Sequence, residues 1–241
     1  MRHLILLLFL CIGTAGFSVR FLNTSEVGSP SVYLKDGTGS EIDAYVGILY
    51  DKLQAANAGI PSALLEKGVK GYWNLKSRGK VVKDIITLID MDKPGIEKRM
   101  WIVDVQKGVV LKNTYVAHGK NSGENFAISF SNKVNSHQSS LGFYVTGQTY
   151  HGKHGLSLRL NGMDIGFNDN ASRRAIVLHG ADYVSEEFIR KHGRLGRSHG
   201  CPAVPVAENK EIIELIKGGS LLFINGNSVD YRSDHISDQF S

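Results

Sequence analysis

From Lys80 onward the chain is a succession of short apolar runs broken by glycine- and asparagine-rich turns. DIITLID (84–90), MWIVDV (100–105), GVVLKNTYVAH (108–118), FAISFS (126–131), LGFYVTG (141–147), LSLRL (156–160), AIVLH (175–179) and SLLFING (220–226) are too short for helices. Their β-branched and aromatic content, and the turn signals between them (QKGV, KNSGEN, LNGMD, FNDN), predict strands. Two late segments carry helical spacing and end on glycine: YVSEEFIRKHG (183–193) and VAENKEIIELIKGG (206–219). Before Lys80 the period changes. In residues 43–79, Val46, Leu49 and Leu53, then Ala63, Leu64, Val69 and Tyr72, recur at helical spacing around the break at Pro61, which predicts a lead-in of two or three helices. Residues 19–42 are polar and without period, an extended tether. The pattern as a whole predicts a mainly β protein with α (α+β). A sandwich- or barrel-like domain over 80–228 follows the helical segment, a polar tail covers 229–241, and no internal repeat is present.

The first eighteen residues, MRHLILLLFLCIGTAGFS, have a basic start at Arg2, an apolar run from Leu4 to Ile12 and then small residues. Thr14 and Gly16 are spaced for a signal peptidase, and Ser18 is a second candidate end, so residues 1–18 are expected to be a signal peptide. The apolar run is short for a bilayer span. A lipid anchor on Cys11 competes with this, but Leu10 stands where lipoprotein signals carry a small residue. No other segment is long and apolar enough to be transmembrane, so a soluble exported protein is expected.

The formal charge is +5, or +4 once Arg2 leaves with the signal (28 − 1 basic against 23 acidic residues). That is mild, and no Lys/Arg run with interleaved aromatics is present, which argues against nucleic acid as a partner. Roughly 225 residues remain, enough to bury a core in one or two domains.

Cysteine usage is more informative. Beyond the signal the only cysteine is Cys201, in GRLGRSHGCPAVP (193–205), so no internal disulfide is available. Cys201 is a buried structural thiol, half of an intermolecular bridge, or a nucleophile. An unpaired thiol is a liability in an oxidising compartment, which favours a function. AIVLHG (175–180) ends an apolar run on His179, and seventeen residues (181–197) then lead to Ser198, room for one helix and a return to Cys201. An imidazole beside a thiol takes its proton and later delivers one to a leaving amine. Gly200 frees the backbone so that the N–H groups of Gly200 and Cys201 can face an oxyanion. A backbone carbonyl such as that of Gly180 would fix the imidazole's tautomer. A metal site is the rival: His151 and His154 have ligand-like spacing, with His179, His199 and Cys201 as further donors. No HExxH motif occurs, and no acid lies near Cys201 in sequence, so no metal or cofactor is expected. His118 and His137 are expected as hydrogen-bonding turn residues, and His192 as a partner of late helix carbonyls.

A strand ending in His-Gly, a spacer of this length and then Ser-His-Gly-Cys resembles the L,D-transpeptidase catalytic domain (YkuD-like) of bacterial cell-wall enzymes. VAHGKNSGENFAISFSNKVNSHQSSLGFYVTG, YHGKHGLSLRLNGMDIGFNDNASRRAIVLHGADYVS and GRLGRSHGCPAV resemble its murein L,D-transpeptidase catalytic domain-like branch, from about Lys80 to about Asn225. The resemblance implies a YkuD-like fold, Cys201 as nucleophile and His179 as general base and acid. It places the Gly180 carbonyl as the group orienting that histidine. Ser198, Gly200 and Cys201 would carry the oxyanion-hole N–H groups, and His199 would shape the site. Many relatives have Arg or Asn just after the cysteine, where this chain has Pro202 and Ala203; Arg197 or Arg194 are the expected replacements. Tyr144, Tyr150 and Tyr183 are candidate contacts to a peptide stem.

That resemblance implies a peptidoglycan L,D-transpeptidase of a bacterial periplasm or cell envelope; export is expected from the leader, and a monomer is expected. Cys201 would attack the L-centre carbonyl of a tetrapeptide stem, D-Ala would leave, and an acceptor amine would resolve the thioester into a cross-link between third residues. With water as acceptor the same chemistry is an L,D-carboxypeptidase. A cell-wall-binding module without activity is the non-enzymatic alternative.

Overall fold

The structure, a computed structural model, describes residues 39–236. The expected signal peptide, the tether from 19 to 38 and residues 237–241 of the tail lie outside it. Residues 39–42, expected as the end of the tether, are instead the first turn of helix α1 (Gly39–Ala55), where Glu41 suits the positive end of the helix dipole. Helix α2 (Ser62–Ser77) follows. The strands are β1 (Ile85–Asp90), β2 (Met100–Asp104), β3 (Val109–Thr114), β4 (Gly142–Gly152), β5 (Gly155–Gly162), β6 (Val177–Ala181), β7 (Ala203–Pro205) and β8 (Leu221–Asn225). Helix α3 (Glu186–His192) lies between β6 and β7, and α4 (Val206–Ile216) between β7 and β8.

These strands form one mixed sheet in the order β3-β2-β1-β8-β4-β5-β6-β7. The β1–β8 and β6–β7 pairs are parallel and the others antiparallel. Beyond β3, Ala117 bridges back to Ala203 of β7, which curls the sheet towards a ring. The apolar runs are nearly continuous because both sheet faces are buried. Alternate residues serve two cores. Ile86, Leu88, Trp101, Val103, Phe143, Leu221 and Phe223 face α1 and α2. Ile89, Met100, Ile102, Tyr144, Leu222 and Ile224 face the inside of the curl, which Ile212, Ile213 and Ile216 of α4 fill.

Helix α2 approaches the sheet closely through two bare positions. A Cβ on Gly71 would lie 2.1 Å from the Phe143 ring, and one on Gly68 2.3 Å from Leu88. Glycine inside a helix costs roughly 1 kcal/mol against alanine. Here it is retained because the space belongs to Phe143, itself stacked on Phe223 at 4.3 Å.

Two segments differ from the sequence pattern. FAISFS is not a strand: Ser122 O accepts the N–H groups of both Ile128 and Ser129, so the segment folds around its own loop. Its period-two pattern exists but points outward, with Phe126 51 % and Ile128 76 % exposed and Ala127 inside. In AIVLHG the strand starts only at Val177, because Ala175 occupies the left-handed region at φ 52°.

Candidate active site

His179 lies on β6 between two neighbours, Ser157 of β5 and Ala203 of β7. Parallel pairing with Ala203 fixes the chain two residues after Cys201, and His179 N–H reaches Pro202 O at 3.4 Å. Gly180 has no side chain because α4 passes there; a Cβ would meet Asn209 at 3.0 Å.

The loop leading to Cys201 is held from two sides. On one, Ser198 N–H donates to His118 O (2.9 Å), Lys120 N–H donates to Ser198 O (2.8 Å), and Ala117 and Ala203 exchange bonds. On the other, Gly200, at φ 116°, lies against Gln138; a Cβ there would be 2.6 Å from its carbonyl oxygen. Within the loop, Ser198 Oγ accepts Gly200 N–H (3.0 Å) and donates to Cys201 O (2.6 Å).

Behind the loop stands buried His118. Arg99, fully buried, donates to Val116 O and Lys93 O and, at 2.8 Å, to His118 Nδ1. The other ring nitrogen therefore carries the proton, donating to Gly123 O at 3.2 Å. Burial, with the Arg99 charge second, pushes His118 down to about 4. It is a buried support rather than a turn residue.

Cys201 and His179 line one cavity of about 360 Å³ together with Tyr150, Lys153, His154, Ser157, Arg174, Ala175, Val177, Tyr183, Arg197, Ser198 and His199. His179 Nδ1 is 2.9 Å from Gly180 O. A carbonyl only accepts, so Nδ1 carries the proton and Nε2 is left with a lone pair. The partly exposed thiol points its S–H at Ala175 O, 3.7 Å away. Burial pushes the thiol up, opposed by Val177 N–H and then by the charges of Arg174 and Lys153. Burial also pushes His179 down; the Gly180 carbonyl opposes this, while His154 and Lys153 reinforce it. Both shifts favour a neutral thiol beside a neutral imidazole at rest.

The other expected residues divide. Tyr183 and Arg197 reach the cavity, and Arg197 donates to Glu124 at 2.6 Å. Arg194 does not line it; its guanidinium is held by Glu124 at 3.0 Å and by Leu195 O. Tyr144 is corrected outright: it is fully buried in the curl, its hydroxyl donating to Ser140 O, because β4 turns Phe143 to one core and Tyr144 to the other. The expected oxyanion hole also narrows. Ser198 N–H is engaged by His118 O and Gly200 N–H by Ser198 Oγ, so among the described residues the N–H of Cys201 is the one of the three without a partner. His199 is exposed and stacks on His137 at 4.3 Å. His192 packs against Phe188 of its own helix with the rings tilted by 37°. His154 stacks on His179 at 4.3 Å, while exposed His151 lies outside the cavity. Among the described residues no three His, Cys, Asp or Glu side chains converge as metal ligands.

Tyr150, an expected stem contact, also lines the cavity, whereas the cations Lys153 and Arg174 beside it carry no signal in the sequence. Arg174 donates to Ser131 O (2.6 Å), Gln138 O (2.5 Å), Ser136 Oγ (3.2 Å) and Ser140 Oγ, tying the 131–140 segment beside the thiol.

Curated proteins give no match. Among solved structures, an L,D-transpeptidase from Mycobacterium smegmatis is 12% identical over 59% of this chain and 59% of its own length, with a TM-score of 0.37. An L,D-transpeptidase from Stackebrandtia nassauensis is 16% identical over 68% of each chain (TM-score 0.36). The helical cell shape determining protein of Campylobacter jejuni is 12% identical over 69% of this chain and 57% of that one (TM-score 0.41). The chain thus spans about 59% of the length of the first of these. The family model described as L,D-transpeptidase catalytic domain matches residues 56–225, which takes in α2, the whole sheet and the Cys201 loop. On that match the chain belongs to the L,D-transpeptidase catalytic domain family, cell-wall enzymes with the YkuD-like fold.

Proposed function

We propose that this protein is an exported peptidoglycan L,D-transpeptidase with Cys201 as nucleophile. The observation that carries the reading is a partly exposed thiol sharing a cavity with an imidazole whose Nδ1 is held by the Gly180 carbonyl. Nε2 of His179 takes the thiol proton as Sγ attacks the L-centre carbonyl of a tetrapeptide stem. Starting from neutral partners, proton transfer accompanies attack, as expected of general-base catalysis near neutral pH. The oxyanion faces the Cys201 N–H, with Gly200 and Ser198 fixing the loop that aims it. The C–N bond breaks, the D-Ala amine takes the proton from His179, and a thioester remains. An acceptor amine then attacks the thioester, returns a proton through His179 and frees the thiol.

In this reading Tyr183 and Arg197 contact the stem and His199, stacked on His137, walls the cleft. Export rests on the leader-like first eighteen residues. Among the described residues no helix is long and apolar enough to cross a membrane. The test is mass spectrometry of a disaccharide-tetrapeptide incubated with the signal-less protein beside Cys201→Ala. Dimers formed with loss of one D-Ala support the transpeptidase. Loss of D-Ala without dimers assigns water as the acceptor, and identical unreacted substrate in both tubes contradicts the proposal.

A further inference from the structure

The cavity around Cys201 is cationic. Lys153, Arg174 and Arg197 line it alongside His154, His179 and His199, and among the described residues no Asp or Glu does. Two of the three permanent charges are already engaged: Arg197 by Glu124, and Arg174 by four oxygen atoms of the 131–140 segment. Lys153 differs. It stands in the two-residue turn between Gly152 and Gly155, at the tip of the β4–β5 hairpin. Among the described residues no carboxylate, carbonyl or hydroxyl lies in bonding distance of its ammonium. Its charge nevertheless acts inward, lowering the proton affinity of Cys201, His179 and His199 alike.

An unpaired cation directed at a nucleophile, in a cavity without acids, fits a substrate that brings its own negative charge. We propose that Lys153 determines specificity by binding the free carboxylate of the acyl donor's leaving residue, so that carboxyl-capped donors are disfavoured. The choice of carboxylate rests on the stem-peptide reading above, in which the departing residue carries its carboxylate one carbon from the scissile nitrogen. A compact, mobile ammonium suits that contact, because the carboxylate must be released with the product. The attraction is the same before and during attack, so it acts on KM rather than kcat.

The first arm of the test needs no stem peptide. Second-order alkylation rates of Cys201 by anionic iodoacetate and neutral iodoacetamide are measured at pH 8.5, where imidazoles are neutral and lysine is charged. The ratio is normalised to free cysteine. Lys153→Gln should lower that ratio about fivefold, the scale of one charge pair in contact through water, and Lys153→Arg should retain it. Equal ratios in wild type and Lys153→Gln overturn the proposal. The second arm compares a tetrapeptide donor with its C-terminal amide. Amidation should raise the wild-type KM about fivefold and leave Lys153→Gln unaffected; an equal penalty in both overturns it. A protein with the expected alkylation ratios that cleaves no stem keeps Lys153 as a carboxylate-binding residue and removes the transpeptidase reading alone.

Discussion

Around β1 and β8 the sheet is held by apolar side chains that interdigitate, whereas around β6 and β7 it is held by polar atoms that satisfy one another. In the first region Ile86, Leu88, Phe143, Leu221 and Phe223 close against α1 and α2 with almost no exposed surface. In the second, Ser198, His118, Arg99, Arg174 and Gln138 position one loop through hydrogen bonds, with Gly200 and Ala175 at positive φ. Packing of the first kind is limited by space rather than by direction, since apolar contacts are non-directional but close-packed. A hydrogen-bonded corner has one arrangement in which every buried polar group is satisfied, and leaving any of them unpaired is costly. The geometry that the proposed nucleophile needs is therefore built from the second material, on a platform made of the first.

The largest effect that separates the regions is chemical. His179→Ala should lower kcat/KM by about 10²-fold or more, the scale of general acid–base help, with a far-ultraviolet circular dichroism spectrum like that of wild type. A smaller loss would mean that the corner works without its imidazole. A bulky residue in the apolar region should do the reverse. Gly71→Leu drives side-chain atoms into the space of the Phe143 ring, at an overpacking cost of about 1–3 kcal/mol. Urea denaturation should show that loss, while the alkylation rate of Cys201 in the folded protein stays as in wild type. A changed alkylation rate would show that the two regions are coupled.

The third prediction concerns the support behind the thiol loop. His118 is held down to about 4 by burial and by Arg99, against about 6.5 in an unfolded chain. Between those values the unfolded chain binds a proton that the folded chain refuses. Stability is therefore complete above about pH 6.5 and falls as pH drops towards 4. At roughly 1.4 kcal/mol per unit, the loss between pH 7 and pH 5 is about 2 kcal/mol. Urea midpoints at the two pH values measure it. His118→Gln should flatten the dependence, and an equally steep fall in that variant would contradict the assignment.

The two regions also differ in how much of them the sequence announces. Strands such as IITLID and LLFIN were legible because burial on both faces leaves an apolar run. The same signal misled at FAISFS, where loop closure on Ser122 decides and Phe126 and Ile128 face solvent. It also failed at β7, only three residues long (Ala203–Pro205) and flanked by Pro202. At the site, the meeting of Cys201 and His179 in one cavity, with the Gly180 carbonyl on the imidazole, was legible because these residues lie in two short motifs. Arg174 was not, since its partners lie 34 to 43 residues upstream and are oxygen atoms with no pattern of their own. Tyr144 was misplaced because apolarity on both sides of LGFYVTG conceals which core each residue enters. The spent N–H groups of Ser198 and Gly200 depend on tertiary contacts, which composition does not encode.

The most direct test of Cys201 as an acylated nucleophile is intact-protein mass spectrometry after brief mixing with a tetrapeptide stem. The account predicts an adduct equal to the stem minus D-Ala, mapped to the peptide containing Cys201, discharged by hydroxylamine and missing from Cys201→Ala. Release of D-Ala by the wild type with no adduct on Cys201, or an unchanged rate of release from Cys201→Ala, would contradict it.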